Sequence, residues 1–240
     1  MEYELKTYER EKMMAPEELK QIHPLGKAPL VSIQAAGMSK PLILAESGLI
    51  IEYLIDHFGP QLAPKRYAEG KEGQVGGETE EWVRYRYYMH YGEGSIMPYL
   101  LVALLMGSKS SSLMRHKLAL TRPFPDIQTN SPFFIKPISN AIVNNINSMF
   151  LEPNFKTHFG FLESQITSSP HGGQYLCGTE LTGADIMMSF PLGAAKGRAG
   201  FNKEKHPKLW AYVERVESRE AYKKAVQKII DVEGSYDPTL

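Results

Sequence analysis

Between His23 and Ile50 the chain holds two prolines, two short apolar runs and a serine that opens a helical pattern. This stretch restricts the fold more than any other. In His23-Pro24-Leu25-Gly26-Lys27-Ala28-Pro29-Leu30 a turn runs into an apolar strand, Pro29 to Ile33. Proline has no N–H to give a ladder, so Pro29 belongs at a strand start or on an edge. It also pushes Ala28 toward an extended backbone. Gln34 to Lys40 reads as a hairpin loop leading to a second strand, Pro41 to Leu44. That strand stops at the acid–hydroxyl pair Glu46-Ser47 and gives way to a helix. The pairs Leu49/Ile50, Tyr53/Leu54 and His57/Phe58, with Glu52 and Asp56 between them, mark its apolar face. Gly59-Pro60 ends it.

Both ends of this unit have two readings. Pro29 is an ordinary trans proline, or it is one of the roughly 5% of X–Pro bonds that are cis. The cis form turns the Ala28 N–H and C=O outward, where they can meet an extended peptide. Ser47 is a plain N-cap beside a solvated acid. Alternatively, the helix start is an anion site whose free N–H groups and dipole draw a carboxylate, with Glu46 meeting the ammonium on the same carbon.

The flanks complete the architecture. Tyr3, Leu5 and Thr7 alternate with Glu4 and Lys6, which predicts a half-buried strand over Tyr3–Tyr8. Pro16 to Lys20 predicts a short helix with proline in its first turn. Residues 60–79 are rich in glycine, proline and charge and read as a linker. Beyond it every periodic segment is helical. Trp82, Tyr85 and Met89 share one face of a long helix over about 79–106, with a weak point at Gly92, Gly94 and Pro98. Residues 107–135 read as a polar excursion. Phe155, Phe159, Leu162 and Ile166 make a clean helical face, as do Leu209, Tyr212, Val213 and Val216, and Tyr222, Val226, Ile229 and Ile230 close the chain. Domains are therefore expected at 1–59 and 80–240, a small α/β unit followed by an all-helical one. In Leu181-Thr182-Gly183-Ala184-Asp185, Thr182 and Asp185 have capping-box spacing.

Lys plus Arg and Asp plus Glu are both 27, so the net charge is zero. That argues against nucleic acid, whose phosphates need clustered surplus cation. With one cysteine, Cys177, no intramolecular disulfide can form, which fits a reducing compartment. Cys177 reads as a small buried residue rather than a nucleophile. No apolar run reaches the roughly 18 residues of a membrane span, and no signal peptide is read at Met1. The seven histidines show no metal-ligand spacing, so no metal is expected.

Joined in this order, the motifs resemble the glutathione transferase superfamily, most closely its fungal, yeast-type, microsome-associated members. The segments PEELKQIHPLGKAPL and LAESGLIIEYL carry the strongest likeness, YLCGTELTGADIMMSFPL carries it in the second half, and it extends loosely over the whole chain. The resemblance implies a thioredoxin-like N-terminal domain followed by an all-helical one, with glutathione as co-substrate. It implies that Ala28, before a cis-Pro29, pairs with the cysteinyl part of glutathione and that Glu46 and Ser47 hold the γ-glutamyl end. Lys27 either reaches the glycine carboxylate or is a plain turn lysine. The first long helix would also wall a pocket for small hydrophobic electrophiles, placing Tyr88 and Tyr91 as candidates beside the reading that both are packing residues. The box of Thr182 and Asp185 would serve folding rather than chemistry.

The same resemblance implies a homodimer in the cytoplasm, with peripheral association to the endoplasmic reticulum. In that pattern a strand and a helix, about 25 residues by usual element lengths, precede the Tyr3 strand and carry the catalytic Tyr, Ser or Cys. No position in 1–240 matches that residue, so the catalytic residue is unassigned. Three expectations follow: a transferase with peroxidase capacity as an extension, a non-catalytic binding or dimerisation module, or a shortened form of the enzyme.

Overall fold

The computed structural model describes residues 2–8, 15–106, 136–196 and 200–238. The chain divides into two compact units, Met1–Ala63 and Pro64–Leu240.

The first unit is built around a two-stranded ladder. Helix α1 (Glu17–Ile22) begins after Pro16, which is its extended N-cap (φ −64°, ψ 153°) rather than part of its first turn, and carries Glu17 and Glu18 where the N-terminal dipole favours acids. Leu19 is its buried anchor. The turn that follows closes with the Gly26 N–H on the His23 carbonyl at 2.8 Å. Gly26 sits at φ 58°, and a Cβ there would lie 2.6 Å from the Lys20 Cγ, so glycine is required on both counts. The Ala28–Pro29 peptide bond is cis. Strands β1 (Leu30–Ile33) and β2 (Leu42–Ala45) then pair antiparallel, Leu30 opposite Ala45 and Ile33 opposite Leu42. The connecting loop is pinned by the Gln34 side-chain amide donating to the Met38 carbonyl at 2.7 Å. Helix α2 (Ser47–Phe58) packs Ile50 and Ile55 inward, with Leu44 of β2 and Leu19 also buried. The expected strand at Tyr3–Tyr8 does not form. Residues 2–8 adopt no regular structure, and Tyr3 and Leu5 are 65% and 49% exposed. Alternation marks a face that could be buried, but a strand needs a ladder, and among the described residues these have none.

The second unit opens with the glycine-rich stretch, which folds back on itself. Tyr67 bridges Glu78, the Ala68 N–H meets the Gly77 carbonyl, and the Arg66 guanidinium lies 4.8 Å from the Tyr67 ring centre and 4.7 Å from that of Trp82. The Thr79 hydroxyl accepts from the Trp82 N–H and starts α3 (Glu80–Tyr91). The expected weak point is a π-turn, Gly92–Ile96, after which the helix resumes as α4 (Met97–Leu105). Pro98 explains it: the missing N–H and the ring's clash with the preceding turn are absorbed by one wider turn. The device recurs where glycine gives no hint of it. Helix α5 (Lys136–Ile146) passes through a π-turn, Asn147–Leu151, into α6 (Glu152–Thr167), with Pro153 just past the wide turn. The excursion expected over 107–135 lies outside the described residues.

Helix α7 (Gly183–Ala195) runs through the core of this unit, with most of its residues buried. It packs against α3 and α8 (Pro207–Ser218). The predicted inward faces are observed: Phe155, Phe159, Leu162 and Ile166 on α6 and Leu209, Tyr212, Val213 and Val216 on α8 are all buried. The start of α8 is capped from another helix, since both oxygens of Glu163 accept backbone N–H groups, Lys208 at 3.0 Å and Leu209 at 2.7 Å. Helix α9 (Glu220–Glu233) ends at Gly234, φ 78°.

The capping box extends into a buried network. Asp185 is fully buried, and its Oδ2 accepts from the Thr182 N–H at 2.8 Å and the Thr182 hydroxyl at 3.0 Å. Its Oδ1 accepts from the Leu176 N–H at 3.0 Å and the Tyr212 hydroxyl at 2.9 Å. Burial pushes the Asp185 carboxyl up, and these four donors pull against that shift.

Two histidines tie the stability of this unit to pH. Burial holds His158 below the usual imidazole range. Burial also lowers His206, where the nearby Glu163 opposes the shift and Lys205 adds to it. Both rings take a proton more readily in the unfolded chain. Stability therefore rises with pH across this window, is fully present above the unfolded value of about 6.5, and is lost as pH falls below it. The urea midpoint is expected to drop between pH 7.5 and 5.5, and His158→Gln should flatten that drop. A midpoint that rises on acidification contradicts the assignment.

Candidate functional site

The ladder brings the two sequence motifs to one end of the first unit. Because Leu30 faces Ala45, Ala28-Pro29 and Glu46-Ser47 are the residues immediately beyond the paired strands on the same side. Lys27, Ala28 and Pro29 are exposed, as is Glu46, while Ser47 is partly covered. No hydrogen bond engages the Ala28 N–H or C=O among the described residues.

The start of α2 differs from a plain serine cap. Glu46 is the N-cap, at φ 73° and ψ 123°, and Ser47 is the first helical residue. A non-glycine residue at positive φ is uncommon and costs about 1–3 kcal/mol. The strain turns the chain sharply from β2 into α2. The first helical hydrogen bond is from the Ile50 N–H to the Glu46 carbonyl at 3.0 Å. Ser47, Gly48 and Leu49 therefore present N–H groups with no partner in the helix. Beside them stand the Ser47 hydroxyl and the Glu46 carboxylate. The arrangement offers donors and a positive dipole end for a carboxylate, and an acid for an adjacent ammonium. With Ser47 read as the N-cap, the sequence already implied free N–H groups at Gly48 and Leu49; the observed cap at Glu46 adds the Ser47 N–H to them and gives the Ile50 N–H a partner.

The helical unit places the other candidates differently. Tyr88 is completely buried, its hydroxyl donating to the Gln165 side chain at 3.3 Å, so it offers no surface to a ligand. Tyr91 is 5% exposed, with its hydroxyl 2.5 Å from Nδ1 of His158. Burial pushes both phenols well above their ordinary range. Both rings lie in an aromatic cluster with Tyr87 and Phe161. Beyond Tyr91 lies a cavity of about 370 Å³ lined by Ser95, Tyr99, Phe150 and His158, among others. These residues were not singled out from the sequence, because the two π-turns bring them together.

Cys177 is 2% exposed, and burial pushes its thiol up to about 12, with the Asp185 charge adding to the shift. At pH 8 roughly one thiol in ten thousand would be ionised. A disulfide reagent such as dithionitrobenzoate is expected to leave the native protein untouched and to titrate one thiol only in denaturant. Rapid native reaction would overturn the burial reading. Among the described residues, no group of three or more His, Cys, Asp or Glu could hold a metal. No helix among them is long and apolar enough to cross a membrane.

A small sheet bearing a cis-proline turn and an open helix start, followed by an all-helical unit, defines the glutathione-transferase class of fold. Comparisons with known proteins agree. The profile of the glutathione S-transferase N-terminal domain matches residues 1–56, and that of the C-terminal domain matches residues 136–228. Glutathione S-transferase 1 of Saccharomyces cerevisiae is 30% identical over 229 residues, 95% of this chain and 85% of that protein. A glutathione S-transferase crystal structure from Actinobacillus pleuropneumoniae superposes with a TM-score of 0.55 at 27% identity, covering 100% of this chain and 88% of that one. A sphingomonad glutathione S-transferase, solved in complex with glutathione, shares the fold at a TM-score of 0.52 and 20% identity, covering 89% of this chain and 79% of that one. The chain belongs to the glutathione S-transferase family.

Proposed function

We propose that this chain binds glutathione at the Ala28 and Glu46-Ser47 end of its first unit and directs the thiol at small hydrophobic electrophiles. The observation that carries the reading is the start of α2, where three N–H groups without a partner among the described residues, the Ser47 hydroxyl and the strained Glu46 lie just beyond the ladder from Ala28. A γ-glutamyl end bears a carboxylate and an ammonium on one carbon. The N–H groups suit the first and Glu46 the second. The exposed backbone of Ala28 suits the cysteinyl N–H and C=O, and Lys27 suits the glycine carboxylate.

In conjugation the sulfur attacks the electrophilic carbon, an S–C bond forms, the thiol proton goes to solvent, and the leaving group departs with its electron pair. No covalent enzyme intermediate is needed. A thiol near pKa ~8.5 is only about 3% ionised at pH 7, and lowering it by about two units takes ~2.7 kcal/mol of preferential anion stabilisation. No residue of this chain is assigned to that step. The protein is further proposed to act as a homodimer in the cytoplasm, which rests on the family alone. The site reading is tested by calorimetric titration of the full chain with glutathione and with Cys-Gly, which lacks the γ-glutamyl group. Saturable glutathione binding with Cys-Gly weaker by about 100-fold or more is expected, as for loss of two charged contacts. Equal binding would sink it. Turnover of 1-chloro-2,4-dinitrobenzene with glutathione tests conjugation separately.

A further inference from the structure

A second cavity of the helical unit, about 1140 Å³, opens along one face of α6. Glu152, Lys156, Gly160 and Glu163 recur at helical spacing and share that face. Asn144 of α5, Asn147 of the second π-turn, and Lys205 and His206 just before α8 complete the walls. Leu151, Phe155 and Phe159 line it from the core side, and all three are buried. Gly160 is the informative position. Glycine is disfavoured inside a helix, and no neighbour demands it here, since a Cβ would meet nothing within 4 Å. The missing side chain leaves the cavity open rather than relieving a clash.

The charges decide the ligand. Glu152 and Lys156 are one helical turn apart in the order that favours an ion pair, yet they form none. Among the described residues, the side chains of Glu152, Lys156 and Lys205 have no ion-pair partner at all. Glu163 has both oxygens engaged by the Lys208 and Leu209 N–H groups at the start of α8. Burial holds the His206 ring below the usual imidazole range, so it adds no charge at neutral pH, and its buried Nδ1 has no hydrogen-bond partner among the described residues. The unanswered charges are therefore two ammonium groups and one carboxylate. The amides of Asn144 and Asn147 add donors and acceptors. A simple anion would leave Glu152 unanswered, and a simple amine would leave both lysines so.

We propose that this cavity binds a glutathione S-conjugate carrying an apolar group on sulfur. Such a molecule has two carboxylates and one ammonium, the inverse of the wall, and two peptide groups for the asparagines. The carboxylates meet Lys156 and Lys205, the ammonium meets Glu152, and the sulfur substituent lies over Leu151, Phe155 and Phe159. The site lies wholly within the helical unit and is separate from the Ala28 and Glu46-Ser47 site. The choice of ligand rests on the glutathione reading, since conjugates are the products of that reaction.

The test titrates the full chain calorimetrically with S-hexylglutathione, and two sites per chain are expected. In a Glu46→Ala chain, where the first site is weakened, the second should persist, and adding Gly160→Leu should abolish it because the new side chain fills the open space. Gly160→Leu alone should keep the first site and unfold at or above the wild-type temperature, since leucine favours a helix more than glycine. Lys156→Glu combined with Lys205→Glu should weaken the second site by about tenfold or more, and high salt should weaken it in the wild type. Both lysines are exposed, so this pair tests the site even where Gly160→Leu disturbs the fold. Glutathione, lacking the hexyl chain, should bind the second site about tenfold more weakly or worse. A single site per chain, lost with Glu46→Ala and indifferent to Gly160→Leu, overturns the second site and leaves the glutathione reading standing. Binding that responds only to Gly160→Leu and the lysine pair supports the second site and overturns the first. A second site indifferent to both Gly160→Leu and the lysine pair overturns its placement on α6.

Discussion

Asp185→Ala is expected to destabilise the protein by about 3–5 kcal/mol, a large share of the roughly 5–15 kcal/mol that holds a domain folded. The Asp185 carboxylate is the common acceptor for the Leu176 and Thr182 N–H groups and the Thr182 and Tyr212 hydroxyls. Alanine leaves all four donors buried without a partner, at about 1–3 kcal/mol each before a water fills part of the space. Helix capping alone would suggest about 1 kcal/mol. The larger figure arises because the same side chain fastens the Tyr175–Gly178 turn and α8 to the start of α7. Asp185→Asn should still cost about 2 kcal/mol or more, because two donors face each carboxylate oxygen and the amide NH2 must displace one of them. Thr182→Ala and Tyr212→Phe should each cost only about 1 kcal/mol. Urea unfolding of the four variants checks the order. If Asp185→Ala costs no more than Thr182→Ala, the network adds nothing to the cap.

The contrast shows what could be read before the fold was known. Thr182 and Asp185 have capping-box spacing in any sequence, but Leu176 and Tyr212 join only when α7 and α8 pack. The inward faces of α6 and α8 were legible because periodicity records burial directly. The weak point at Gly92, Gly94 and Pro98 was legible because proline cannot complete the helical ladder. Its counterpart at Asn147–Leu151 was not, since those residues carry no local signal except Pro153 downstream. Tyr3–Thr7 failed for the opposite reason: its alternation is genuine, but pairing is a non-local property. Tyr88 and Tyr91 share an aromatic stripe with Tyr87, and only the packing of α6 decides that Tyr88 is sealed while Tyr87 is 46% exposed. The candidate site was read partly from backbone: a cis bond before Pro29 was one of two readings of the residues and was implied by the resemblance, whereas the positive φ at Glu46 was not anticipated, because it is a conformation that the residue type permits without requiring.

Glu46 yields the second large effect, because its backbone and its carboxylate are expected to act in opposite directions. Glu46→Ala removes the acid but keeps a Cβ at φ 73°. Glutathione affinity should fall by about 1–3 kcal/mol, roughly 5- to 150-fold, as for a lost charged hydrogen bond, with thermal stability nearly unchanged. Glu46→Gly removes the acid and the strain together, since glycine adopts positive φ without a Cβ clash. Affinity should fall as far as in the alanine variant, while the unfolding midpoint rises by an amount corresponding to about 1 kcal/mol, at the low end of the strain because glycine is also freer when unfolded. Ser47→Ala should weaken binding through the lost hydroxyl and leave the three backbone donors in place. Calorimetry with glutathione and thermal unfolding of the same samples read the two effects separately. A glycine variant that binds glutathione as well as the wild type would remove Glu46 from the site. One that is less stable than the alanine variant would mean that the turn into α2 is held by more than steric strain at this residue. The expected pairing, a more stable protein that has lost its ligand, ties the Glu46 carboxylate to binding rather than to folding.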